Sequence, residues 1–156
     1  MIEYVQGDAT RPLGSGPKII VHVCNDIGAW GRGFVLALSK RWPGPESEYK
    51  KQWKQAQQEK RRLELGHIQV VTVEDDILVV NIIGQRGLRS RRRRKVVVYD
   101  AVREGLVRVR KLAKSIATVH MPRIGCGLAG GDWSVMEKIV QEELADHGIP
   151  VTVYDF

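Results

Sequence analysis

Apolar residues along this chain keep two different rhythms. Short runs rich in Val and Ile at 2–6, 19–24, 68–73, 77–83, 118–121 and 150–154 predict strands. The run Ile19-Ile20-Val21-His22-Val23-Cys24 is nearly unbroken, as expected of a strand covered on both faces. The pair 68–73 and 77–83 flanks Glu74-Asp75-Asp76 and predicts a hairpin. Helical spacing takes over at 34–41, 46–62, 99–115 and 134–147. Trp42-Pro43-Gly44-Pro45 breaks the first of these helices. The second is polar, with Tyr49 and Trp53 marking its buried stripe. Val102, Leu106, Val109 and Leu112 form the stripe of the third. Ser134-Val135-Met136-Glu137 reads as a capping box with Ser134 as the cap of the fourth, and Gly148 as its stop.

Strands and helices alternate, with one hairpin and neither repeats nor linkers. This predicts one α/β domain over 1–156, with a mixed sheet and helices on both faces. Two glycine-rich segments join a strand to a helix. One is Asn25-Asp26-Ile27-Gly28-Ala29-Trp30-Gly31-Arg32-Gly33-Phe34; the other is Pro122-Arg123-Ile124-Gly125-Cys126-Gly127-Leu128-Ala129-Gly130-Gly131-Asp132. Such a turn brings backbone N–H groups close to a phosphate, and the following helix adds favourable partial charge. Two of them in one domain suggest a clamp around a diphosphate; the alternative is glycines that only make tight turns. Both lie at the carboxyl ends of strands, where open α/β sheets bind ligands.

Composition narrows the partners. The chain has 156 residues, 43% apolar and 28% charged, with no run long enough to span a bilayer. Its first residues have neither a basic nor an apolar leader pattern, so a cytoplasmic protein is expected. Cys24 and Cys126 lack clustered histidines and an adjacent base, so neither a zinc site nor a thiol nucleophile is indicated. No metal or other cofactor is expected. The net charge of +7 favours anionic partners. Much of it comes from Arg89-Ser90-Arg91-Arg92-Arg93-Arg94-Lys95, which is either a solvated mobile loop or an arm that contacts phosphates of nucleic acid. No aromatics interleave these arginines, so no base-stacking platform is indicated.

Four motifs in order resemble the macrodomain family of ADP-ribose-binding modules: Gly7-Asp8-Ala9-Thr10, Val21-His22-Val23-Cys24-Asn25 with Gly31-Arg32-Gly33-Phe34, Pro122-Arg123-Ile124-Gly125-Cys126-Gly127-Leu128, and Val151-Thr152-Val153-Tyr154. The resemblance covers nearly the whole chain. It leans towards the branch with terminal ADP-ribose protein glycohydrolase and the yeast-type ADP-ribose 1''-phosphate phosphatases. It implies a three-layer α/β/α fold and a cleft in which Asp8 and Ala9 take the adenine end. Cys24, Asn25, Gly31, Arg32, Gly33 and Phe34 from the first loop, and Ile124, Gly125, Cys126, Gly127 and Leu128 from the second, would hold the diphosphate and distal ribose. The glycohydrolase lysine is absent from Gly84-Gln85-Arg86, and Ala129 stands where its aspartate would follow Leu128.

The implied activity is release of ADP-ribose from mono-ADP-ribosylated proteins, with ester-linked Asp or Glu as the expected linkage. The alternatives are ADP-ribose 1''-phosphate hydrolysis, or a non-catalytic reader of ADP-ribose with nucleic-acid contacts through the arginine run. For catalysis, Asp132 either faces the cleft as acid or base, or caps the helix. Asn25 either bonds a ribose hydroxyl or supports its turn. Gln85 can orient water or bind ribose but cannot itself be a base. His22 is a buried structural histidine or resembles one proposed as catalytic in the phosphatases. Trp30 and Trp133 flank the loops, either walling the distal ribose or packing. His67, His120 and His147 have no evident partners.

Overall fold

A computed structural model describes residues 1–156. Six strands form one sheet: β1 (Ile2–Gln6), β2 (Lys18–Asn25), β3 (Ile68–Glu74), β4 (Ile77–Gln85), β5 (Thr118–Met121) and β6 (Val151–Asp155). Their order is β1-β6-β5-β2-β4-β3. Every neighbouring pair is parallel except the β3–β4 hairpin. The helices are α1 (Phe34–Arg41), α2 (Gly44–Gln58), α3 (Tyr99–Ala113) and α4 (Trp133–Glu143), with a 3-10 turn at Ala145–His147. No helix is long and apolar enough to cross a membrane.

Alternation along β2 divides two cores. Ile19 and Val21 pack with Val102, Leu106 and Val109 of α3 and Met136 and Val140 of α4. Ile20 and Cys24 point the other way, under Leu38 of α1 and Tyr49 and Ala56 of α2. Both faces of β2 are therefore dry, which explains its continuous apolar run. Each fully buried aliphatic side chain contributes about 1.5–3 kcal/mol by leaving water. The result is the expected three-layer α/β/α architecture with a mixed sheet.

Boundaries differ from expectation for identifiable reasons. Helix α2 begins at Gly44, because Pro45 sits in its first turn, where a missing N–H costs nothing. It ends at Gln58, and Lys60 takes φ 56° just beyond it. In α3 the stripe closes on buried Ala113, while Leu112 is 37% exposed. The cap of α4 is Asp132, not Ser134, and the helix stops at Glu143. Gly148, at φ 79°, ends the 3-10 turn that follows.

Strands β1, β2, β4, β5 and β6 share one direction, so their carboxyl ends lie along one edge. From that edge β2 leads into α1 on one face, while β4 and β5 lead into α3 and α4 on the other. The connections thus diverge around β2, and a crevice opens at that point.

Candidate functional site

A cavity of about 620 Å³ occupies this crevice, within the size range of small-molecule sites. The first loop contributes Asn25, Gly31, Arg32, Gly33 and Phe34; the second contributes Ile124, Gly125, Gly127 and Leu128. His22 and Cys24 of β2, Gln85 at the end of β4, and Leu88 and Arg89 beyond it complete much of the wall. Cys126, Asp8, Ala9 and Asp132 do not line it.

Backbone geometry gives the two loops their character. Gly33 has φ 80°, and a Cβ there would lie 3.3 Å from Leu128 Cδ1, so the loops meet at this point. Gly31 and Gly127 have nothing within 4 Å of a Cβ position and face open space. Helix α1 starts without a side-chain cap or an acidic residue in its first turn. The N–H groups of Gly31, Arg32, Gly33 and Phe34 donate to no protein acceptor, nor do those of Gly125, Gly127 and Leu128. Orphan N–H groups at a helix start, beside a second set across a cleft, make a site for an extended anion. The second loop is braced from behind: Gly131 N donates to Gly125 O at 2.8 Å, and Gly130 packs on the carbonyl of Arg94.

The predicted polar residues divide by task. Asn25 organises its own loop: its Oδ1 accepts from Ile27 N at 3.0 Å, Ala29 N at 3.1 Å and Tyr49 OH at 2.7 Å. Its Nδ2 donates to Ala29 O at 2.7 Å, leaving one amide hydrogen without a protein acceptor on a residue that lines the cleft. Gln85 donates from Nε2 to Gly87 O at 2.9 Å, and its Oε1 has no protein donor. Asp132 lies at the start of α4, where its Oδ1 accepts from Ser134 N at 2.9 Å and Ser134 Oγ at 2.7 Å. These bonds hold its carboxyl below the usual range. Asp8 accepts from Thr10 N and Thr10 Oγ1, both at 2.8 Å through Oδ1, which leaves Oδ2 without a protein donor. It stands on the same sheet edge, three strand spacings from β2, or about 14 Å.

Side-chain chemistry inside the cleft is weak in acids and bases. His22 is buried, and burial lowers its pKa to about 4. Its Nε2 meets Asn81 Oδ1, while Asn81 Nδ2 donates to Gln69 Oε1 at 3.0 Å and Pro45 O at 3.2 Å. Asn81 Oδ1 is therefore an acceptor, and the neutral imidazole carries its proton on Nε2. Burial pushes the Cys24 thiol far up and the Cys126 thiol up to about 11, so neither is a thiolate near neutrality. No carboxylate or lysine lines the cavity.

Several residues of consequence had no sequence signal. Asp26 is 2% exposed and ties three segments together. Its Oδ1 accepts from Gly87 N at 2.8 Å, its N–H donates to Gln85 O at 2.9 Å, and Arg62 lies 3.7 Å from Oδ2. The only hint was a charged residue directly after a buried strand. Asp26→Ala strands the Gly87 N–H, so urea denaturation should report a loss of about 1–3 kcal/mol. Trp30 is core: it is 8% exposed, and its Nε1 donates to Ser39 Oγ at 2.9 Å. Trp133 instead donates to Tyr4 OH at 3.0 Å. His120 has partners after all, Thr118 Oγ1 and Tyr154 OH, both at 2.7 Å. His67 faces Glu64 at 3.1 Å.

The segment after β4 takes a defined turn. Arg86 N donates to Val96 O at 2.9 Å, and Ser90 N to Arg93 O at 2.8 Å. Val96 N and Val97 N donate to Ala129 O at 3.0 and 3.2 Å, which fastens this segment to the second glycine loop.

No family model matches the chain. The solved structure of a macrodomain protein from Streptomyces coelicolor superposes with a TM-score of 0.86 at 47% identity, over 100% of this chain and 99% of that one. Chromodomain-helicase-DNA-binding protein 1-like of Danio rerio is 33% identical over 164 residues, 98% of this chain. The chain spans only 15% of that relative's length. ADP-ribose 1''-phosphate phosphatase of Candida albicans is 25% identical over 151 residues, 91% of this chain and 93% of the enzyme.

Proposed function

The chain belongs to the macrodomain family, and on that premise we propose that it binds ADP-ribose and hydrolyses its ester linkage to Asp or Glu side chains of modified proteins. The observation that carries the reading is the pair of orphan N–H sets on Gly31–Phe34 and on Gly125, Gly127 and Leu128 across one cleft. A diphosphate satisfies both at once. Asp8 then takes the adenine amino group through its unpartnered Oδ2, and the distal ribose falls over Asn25 and Gln85.

The weak acid–base inventory selects the linkage. A carboxylic ester at an anomeric carbon is labile, so positioning and polarisation suffice where a glycosidic amine would need a strong acid. Water adds to the ester carbonyl carbon, the bond to the ribose oxygen breaks, and that oxygen leaves with a proton as the 1''-hydroxyl. Gln85 Oε1, which has no protein donor, accepts from the attacking water and orients it. The remaining Asn25 amide hydrogen positions a ribose hydroxyl.

Asp132 belongs to the helix cap in this reading. Asp132→Ala should keep turnover of a Glu-linked substrate within about threefold, because an acid or base in the reaction would instead cost about 10² to 10⁴. Gln85→Ala should reduce turnover by at least about tenfold. A hundredfold loss in Asp132→Ala with unchanged ADP-ribose affinity would move the chemistry to that carboxylate.

The direct test is parallel turnover of Glu-, Ser- and Arg-linked mono-ADP-ribosyl substrates and of ADP-ribose 1''-phosphate. Release from the Glu ester alone supports the proposal. Release only from the phosphate favours the second reading, which rests on the likeness to the Candida albicans phosphatase. Binding without any turnover leaves a reader.

A further inference from the structure

We propose that the arginine turn after β4 is a docking surface for the phosphate backbone of duplex DNA. Arg89, Arg91, Arg92, Arg93, Arg94 and Lys95 are all exposed. None of them meets a carboxylate. Elsewhere Arg41, Arg61, Arg62, Arg103, Arg108, Arg110 and Arg123 each pair with one. The six unopposed cations account for most of the net charge of +7. Crowding them on one turn is repulsive until a polyanion arrives.

The turn presents these charges in a fixed place. Arg93 N donates to Ser90 Oγ at 3.2 Å, closing its tip. Gly87 N is held by Asp26, and the far end is fastened to Ala129 and Gly130 of the second glycine loop. Leu88 and Arg89 also line the cleft, so the surface is continuous with its mouth.

Charge and composition choose the partner. Guanidinium groups match phosphate in bidentate geometry. No aromatic stands between Arg86 and Lys95, so a single strand finds no stacking platform there. A surface that reads charge and spacing without bases fits a duplex backbone. It would hold the cleft against nucleic acid whichever linkage the cleft cleaves.

The test is fluorescence anisotropy with a labelled 20-base-pair DNA duplex, with the matching single strand and polyglutamate as separate probes. Four phosphate contacts give a slope of log affinity against log salt of about −3.6. The combined variant R91A/R92A/R93A/R94A should bind the duplex about 100-fold more weakly at low salt and flatten that slope. Its ADP-ribose affinity by calorimetry should stay within about threefold, since exposed charges away from the ligand contribute little. Unchanged duplex binding by the variant overturns the proposal, as does tighter binding of the single strand. Stronger binding of polyglutamate than of the duplex reassigns the turn to an acidic protein. Failure of the wild-type protein to bind ADP-ribose, with duplex binding intact, refutes the cleft reading and leaves this one standing.

Discussion

Gly127→Glu is expected to lower ADP-ribose affinity by at least about 100-fold in a protein that remains folded. Nothing lies within 4 Å of a Cβ at this position, so a side chain can start here without a clash, and the residue lines the cleft. There it places a carboxylate beside the N–H groups assigned to the diphosphate. Like charge and lost volume act together, and about 3 kcal/mol of lost binding is a factor of about 100. Gly131→Ala supplies the contrast. A Cβ at Gly131 would lie 2.4 Å from Gly125 O, a backbone atom that cannot swing aside, so this variant should lose stability as well as binding. Calorimetry read beside the thermal midpoint separates the two effects. Normal ADP-ribose binding by Gly127→Glu would remove the second loop from the phosphate site.

Acidification should destabilise the fold steeply well above the ordinary carboxylate range. Burial lowers His22 and His120 to about 4 from an ordinary value near 6.5, with Lys18 adding to the effect at His120. The bonding around His120 agrees. Tyr154 OH accepts from Leu13 N at 2.9 Å and lies 2.7 Å from His120 Nδ1, which leaves its own proton available to a neutral ring nitrogen. Protonation of that nitrogen would require the phenol proton to turn away into a buried environment. Both depressed groups therefore stabilise the fold fully above pH 6.5, and this contribution is lost as pH falls towards 4. Between those limits the unfolded chain binds up to two more protons than the native one, a slope of about 2.7 kcal/mol per pH unit at most. Urea denaturation at pH 7.5, 5.5 and 4.5 should show a loss of several kcal/mol. Carboxylates held low, such as Glu143 and Asp155, release their share only at lower pH. A stability flat between pH 6.5 and 4.5 would mean that these imidazoles protonate freely in the native state.

What could be read in advance was local. The unbroken run of β2 announced a strand dry on both faces, and the glycines announced loops whose backbone can approach a ligand. Alternation of strand and helix was enough for the layers, because each element must bury one face. The misses depend on partners distant in the chain. Asp26 looks like an ordinary turn acid until Gly87, 61 residues later, is placed against it. His22 acquires its tautomer from Asn81, and His120 its hydroxyl partner from Tyr154, pairings created by strand register. Asp132 and Ser134 are both good capping residues, and only the path of the second loop decides between them. The arginine run was legible as charge but not as a turn, since its anchors lie at Asp26 and Ala129.

In the proposed function, two sets of orphan N–H groups form one clamp for a diphosphate with a free distal ribose. Calorimetric titration of the same protein with ADP-ribose and with AMP distinguishes this clamp from a site for an adenine nucleotide alone. ADP-ribose should bind at least about 30-fold more tightly, since AMP reaches the adenine end but cannot span both loops, and about 2 kcal/mol is lost. Equal affinities for the two ligands would rule out the clamp.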